Sequence, residues 1–178
     1  MKLALCFVAA LSAGIDDHMA PMVGGAPMSP QRNIVQNAMD SKDHTTLVAA
    51  VKAAGLAETL MGDGPFTVFA PTNAAFVILP MGTVDTLLKP ENKTKLQGIL
   101  LYHVVPGKWD AKRLIAEIRK GNGTATLTTA SGGKLMAMLN GPMNVVLKDA
   151  QGNTASISTY DVMQKNGVIH VVTSVLMP

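Results

Sequence analysis

The stretch Gly64-Pro65-Phe66-Thr67-Val68-Phe69-Ala70-Pro71-Thr72-Asn73-Ala74-Ala75-Phe76 constrains this chain more than any other. Gly64-Pro65 interrupts whatever precedes it. Phe66 to Ala70 is aromatic and β-branched, the composition of a strand at least half buried. Pro71 ends that strand because it has no N–H to give to a ladder. Thr72 or Asn73 then caps a helix that opens with Ala74, Ala75 and Phe76. The stretch holds no nucleophile, acid or metal ligand. It speaks for packing and shape, with Phe66, Val68 and Phe76 expected in the core.

Upstream, residues 33–39 read as a short amphipathic helix with Ile34, Val35 and Ala38 on one side. Residues 45–54 read as a second helix, with Leu47, Val48 and Val51 at helical spacing and Gly55 as its left-handed stop. Residues 56–61 give one more turn. Downstream, Thr83 is expected to cap 84–88, and Pro90 opens a helix over about 91–101 with Leu96, Ile99 and Leu100 inward. At Tyr102-His103-Val104-Val105 the period changes to that of a strand. Asp110 caps a helix over 111–120, stopped by Gly121. From Thr124 the chain is β, with strands at 124–129, 134–139, 144–148, 155–160 and 168–172. Ser131-Gly132-Gly133 and the turn at 149–153 have hairpin chemistry. Helices come first and strands after, which predicts an α+β fold.

Met1-Lys2 followed by the apolar run 3–13 reads as a secretory signal peptide, cleaved after Ala13 or alternatively after Ala20. The run is shorter than the ~20 residues a spanning helix needs, so no membrane span is expected. Cys6, the only cysteine, lies inside it. A processed chain would form no disulfide and would rest on its core alone. Residues 14–30, with Pro21, Pro27, Pro30, Gly24 and Gly25, read as a flexible Met/Pro/Gly-rich linker. His18 with Met19, Met22 and Met28 offers soft copper donors, although a mobile tail with incidental methionines accounts for them more simply. The domain proper is expected over 31–178.

With 48% apolar and 15% charged residues, a sizeable core is available, and aromatics at 4% make it mainly aliphatic. A formal charge of +3 is too small to argue for nucleic acid as a partner. The chain has no nucleophile elbow and no Walker loop. Its four histidines lack ligand spacing. No catalytic residue, cofactor or metal site is therefore expected. His103 and His170 read as buried imidazoles satisfied by hydrogen bonds. Lys108, Lys112, Arg113, Arg119 and Lys120, diluted by Asp110 and Glu117, could meet an anionic polysaccharide or lipid headgroups, or form a solvated helix face. Asn92 and Asn122 begin glycosylation sequons, which matter only in a eukaryotic source.

The 64–76 stretch resembles the first conserved block of the fasciclin (FAS1) domain, and Tyr102-His103 resembles its central Tyr-His motif. Asn166-Gly167-Val168-Ile169-His170-Val171-Val172, with Ser174-Val175-Leu176-Met177-Pro178, resembles its closing block. The three occur in the family's order over roughly 29–178, and the short form with a signal looks like the secreted single-domain bacterial type. The resemblance implies a compact wedge of two small β-sheets with a layer of helices. Phe66, Phe69, Pro71, Thr72, Asn73, Phe76, Asn166, Gly167 and His170 would be its fold signature. It also implies a non-enzymatic adhesion or interaction module, secreted, periplasmic or at the cell surface, whose partner is a cell-surface or matrix protein or polysaccharide. Residues near the Tyr-His motif, and an Asp-Ile pair before the closing block, are implicated in contacts of animal members. The matching positions here are Tyr102, His103, Asp161 and Val162, which could equally hold the fold together. Algal members that bind carotenoids keep a second role open, carriage of an apolar ligand such as a carotenoid or lipid.

Overall fold

The computed structural model describes residues 20–178; the expected signal peptide, Cys6, His18 and Met19 lie outside the described residues. Gly24 and Gly25, at φ 59° and 77°, turn the chain between β1 (Met22–Val23) and β2 (Ala26–Pro27). Two consecutive positive-φ residues are what a type I′ hairpin requires. Val23, Ala26 and Met28 are buried. Over 22–30 the chain is therefore packed, which corrects the expectation of a flexible linker. The glycines that suggested looseness make a tight turn. Gly24 lies so close to the next helix's end that a Cβ there would sit 2.3 Å from Ser41 Oγ.

Helix α1 (Ile34–Asp40) opens with a capping box. Asn33 Oδ1 accepts the Gln36 N–H, and Gln36 Oε1 accepts the Asn33 N–H. Helix α2 (Thr45–Ala54) ends at Gly55, φ 70°, and α3 (Ala57–Met61) follows. Strand β3 (Phe66–Pro71) runs into α4 (Asn73–Val77), where Thr72 Oγ1 accepts the Ala75 N–H. Helix α5 (Thr83–Leu87) begins after Gly82, not Thr83; Gly82 at φ 78° supplies the turn and no side chain caps it. Helix α6 (Lys93–Tyr102) includes Tyr102, and His103 is its C-cap. Strand β4 (Val104–Pro106) thus starts two residues later than the sequence pattern suggested. Helix α7 (Ala111–Lys120) is capped by Asp110, which accepts the Arg113 N–H. The strands β5 (Thr124–Thr128), β6 (Lys134–Asn140), β7 (Asn144–Lys148), β8 (Thr154–Gln164) and β9 (Gly167–Val172) complete the chain.

The strands pair in the order β4-β3-β9-β8-β7-β6-β5. Strands β5 to β9 form an antiparallel meander, and β3 joins it parallel to β9, with Phe69 opposite His170. The start of β8 pairs with β7 and the rest with β9, with register shifts between Ile157 and Val162. Two sheets thus share β8, and the helices pack on them: an α+β fold, as expected.

Strand β3 separates two cores, because successive side chains point to opposite faces. Val68 and Ala70 join Ile34, Leu47, Val51 and Leu100 on the helical side. Phe69 joins Leu114, Ile118, Leu127, Leu135 and Leu147 on the other. Phe69 is fully enclosed, whereas Phe66 and Phe76 lie half-buried at the margin of the helical core. Enclosing such a side chain stabilises the fold by about 1.5–3 kcal/mol. Among the described residues no helix is long and apolar enough to cross a membrane.

Candidate functional site

Tyr102 and His103 sit where α6 hands the chain to β4, and both are buried. The Tyr102 hydroxyl donates to the Lys134 carbonyl at 2.7 Å and accepts the Ala150 N–H at 3.1 Å. It thereby ties the entry of β6 to the turn after β7. Gly133 makes room for it, since a Cβ there would meet the Tyr102 ring at 2.7 Å. His103 Nδ1 bonds the Ile99 carbonyl at 2.9 Å, and its Nε2 accepts the Leu176 N–H at 3.0 Å. These partners fix one neutral tautomer, with the proton on Nδ1. Burial pushes the imidazole pKa down to about 4, outweighing the Ile99 carbonyl and the distant Asp149.

The closing block works in the same way. Asn166 Oδ1 accepts the Ile34 N–H at 3.1 Å, and Nδ2 donates to the Leu60 and Gly62 carbonyls at 2.7 and 3.0 Å. One side chain thus holds the start of α1 and the end of α3. Gly167 lets β9 approach β3, because a Cβ there would lie 1.9 Å from the Phe66 carbonyl oxygen. His170 Nε2 bonds the Trp109 carbonyl at 2.7 Å, and Nδ1 accepts the Asp161 N–H at 3.3 Å. Its ring stacks on Phe69, centroids 5.7 Å apart. Burial lowers the His170 pKa.

Asp161 has φ 53°, and its Oδ1 accepts the Ala111 N–H at 2.7 Å, adding a second carboxylate to the start of α7. Val162 is wholly buried, opposite Ile169. Pro71 is buried at the end of β3 and pairs with Val172. Asn73 bridges back to the start of α2, accepting the Thr46 N–H at 3.0 Å and donating to the Lys42 carbonyl at 2.8 Å. Tyr102, His103 and Val162 thus present no side chain to solvent, and only Asp161 is partly accessible. Asp149 was not singled out from the sequence. It is buried and accepts from Gln151, Asn153 and Met177. Its signal was the Asp at the head of a polar turn, the position of an Asx-turn acceptor.

What lies open is different. A polar cleft of about 640 Å³ is rimmed by Gln36, Asp63, Lys108, Lys165 and Asn166. Val77, Ile78 and Met81 stand exposed beside a cleft of about 380 Å³. An apolar cleft between α1, α2 and β3 has room for only about 30 Å³, little more than one water. Met28, one of the suggested copper donors, is buried, while Met22 is exposed. Among the described residues no group of three histidines or carboxylates is placed to hold a metal ion.

Trp109 is the chain's only tryptophan, and no sequence motif marks it. Its N–H donates to Thr67 Oγ1 at 2.8 Å and its carbonyl accepts from His170, so two buried side chains fix its backbone. The Arg113 guanidinium lies over the indole, 4.0 Å from the ring centroid. A cleft of about 300 Å³ runs from Trp109 along Glu117 and Lys120 of α7 and is closed by Thr124 to Leu127 of β5.

A model of the fasciclin domain matches residues 42–178. Protein sll1483 of Synechocystis sp. is 42% identical over 88% of this chain and 79% of its own length. The transforming growth factor-beta-induced protein ig-h3 of Sus scrofa is 37% identical over 74% of this chain, which spans only 17% of that longer protein. Among solved structures, the FAS1 domain pair from the insect cell adhesion molecule fasciclin I superposes with a TM-score of 0.70. It covers 83% of this chain and 51% of its own, at 16% identity.

Proposed function

This chain belongs to the fasciclin domain family, and from that premise we propose that it is a non-catalytic adhesion or interaction module acting outside the cytoplasm. It holds a cell-surface or matrix protein or polysaccharide. One observation carries this reading: polar side chains of the three blocks that resemble the family are taken up by hydrogen bonds within the chain. Tyr102, His103, Asn166 and His170 each bond backbone groups of another element. His103 and His170 have both ring nitrogens engaged, so neither offers a lone pair for proton transfer. Recognition then falls to the outer surface. The likeness to a domain pair from a cell adhesion molecule supports the same role, and the signal-like 1–13 run supports export.

The test is retention of the full chain on beads carrying cell-wall polysaccharide, envelope vesicles or matrix protein. Saturable retention on at least one surface is expected. A folded chain held by none of them refutes the reading. Carriage of a carotenoid or lipid would use the apolar cleft between α1, α2 and β3, which is lined by Ile34, Val35, Leu47 and Val51. That cleft would have to open from about 30 Å³ to the ~300 Å³ or more that such ligands fill. An organic extract of natively purified chain that is colourless and free of lipid removes this alternative.

A further inference from the structure

The chain's whole formal charge of +3 lies on one short stretch. Residues 108–120 carry Lys108, Lys112, Arg113, Arg119 and Lys120 against Asp110 and Glu117, a surplus of three. The remaining cations and carboxylates of the chain cancel. All five cations are exposed. Arg113, Glu117 and Lys120 follow one another at helical spacing and so share one side of α7, where Lys120 Nζ lies 3.9 Å from Glu117 Oε1. Trp109 precedes the helix and lies under Arg113.

That side of α7 overlooks a strand edge. Strand β5 is the last in the order among the described residues; β6 pairs with one of its edges and no strand pairs with the other. The cleft along α7 is lined by four consecutive residues of β5, Thr124 to Leu127. Alternate side chains of a strand point to opposite faces, so four in a row mean that the backbone edge itself borders the cleft. An unpaired edge is a row of donors and acceptors ready to template another strand. At about 3.3 Å per residue, five residues of β5 span about 17 Å. Ten residues of α7 span about 15 Å, so the helix and the open edge match in length. The Gly121 turn bounds the edge at one end, where the Thr124 N–H bonds the Gly121 carbonyl. The bond from the Ala130 N–H to the Val104 carbonyl bounds it at the other.

We propose that this edge of β5, facing α7 across the Trp109–Lys120 cleft, receives an extended acidic segment of a partner protein as an added strand. The proposal rests on the interaction-module reading and names the partner class and the site. Main-chain hydrogen bonds to β5 supply the docking, and acidic side chains on the α7 side of the segment meet Arg113 and Lys120. A sugar ring fits less well, because Trp109 has one face under Arg113 and also packs on the core. No open aromatic face is left for stacking.

The probe is the peptide Ac-Glu-Val-Glu-Val-Glu-Val-NH2, titrated into the full chain at low salt. Because Trp109 is the only tryptophan, its emission reports directly on the cleft. The expected result is a saturable change in emission, with amide exchange slowed in Thr124–Thr128. The Arg113→Glu, Lys120→Glu double variant should bind at least ten-fold more weakly. So should the peptide with alternate amides N-methylated. Both charge changes are at exposed positions, and circular dichroism checks that the variant is folded. Equal binding by the double variant, equal binding of the lysine-for-glutamate peptide, or a response only to heparin or anionic vesicles overturns the proposal. A chain retained on the surfaces above but inert to the peptide refutes this inference alone. A chain retained nowhere refutes the reading beneath it.

Discussion

His103 Nε2 accepts the backbone N–H of Leu176 across 73 residues of chain, at 3.0 Å. The bond needs a neutral imidazole, because a protonated ring has no acceptor. The unfolded chain protonates this group near 6.5, whereas burial holds it neutral in the fold down to about 4. Above 6.5 both states are neutral and the group contributes no pH dependence. Between 6.5 and about 4 the unfolded chain takes up the proton and the folded chain does not. Stability therefore falls with pH across that window, by on the order of 3 kcal/mol from this residue. His44 and His170 are shifted in the same direction by burial and deepen the loss. Urea midpoints at pH 7 and pH 4.5 check this, and equal midpoints would contradict it. His103→Ala should cost about 2–4 kcal/mol at pH 7, from the cavity and the orphaned Leu176 N–H.

Asn166 and Gly167 make adjacent but different contributions. Asn166→Ala removes one acceptor and two donated bonds at the α1–α3 junction, an expected loss of about 2–4 kcal/mol. Gly167→Ala places a methyl group against the Phe66 carbonyl and should cost about 3 kcal/mol or more by forcing β9 from β3. Chemical denaturation of the two variants measures both. A Gly167→Ala protein as stable as its parent would rule out this strand pairing.

Asp161 separates contact from scaffold by a conservative change. Asp161→Asn keeps an acceptor for the Ala111 N–H and tolerates positive φ. It should shift stability by less than about 0.5 kcal/mol. Asp161→Ala loses the helix cap and should cost about 1–2 kcal/mol. Thermal melts of the pair give the comparison. Equal melting of the alanine and asparagine variants would show that the cap contributes nothing.

The α+β layout and most element positions could be read from periodicity and capping residues, because Asp110, Asn33 and Gly55 act locally. Local pattern could not show what depends on distant partners. The parallel register of β3 on β9 is set by residues a hundred positions apart. Phe69 is the enclosed aromatic because β3 has a core on both faces, whereas Phe66 at its start and Phe76 beyond its end in α4 pack at the margin of one. Within the 14–30 stretch, Gly24-Gly25 and Pro27 have the composition of a linker. Placed between Val23 and Ala26, the glycine pair is hairpin chemistry. Trp109 carries no local signal because its setting comes from Thr67, His170 and Arg113, which only the fold assembles.

In the proposed function the blocks that resemble the family hold the fold, while a surface elsewhere holds the partner. Tyr102→Phe tests it most directly, since it removes one oxygen that bonds Lys134 and Ala150 and changes nothing at the surface. The measurement is a binding isotherm of parent and variant on whichever bead-borne surface retains the chain, at pH 7.5 and low temperature with both proteins folded, beside their urea midpoints. A loss of about 1–2 kcal/mol in stability is expected, with an unchanged dissociation constant. A variant as stable as its parent but at least ten-fold weaker in binding would contradict it.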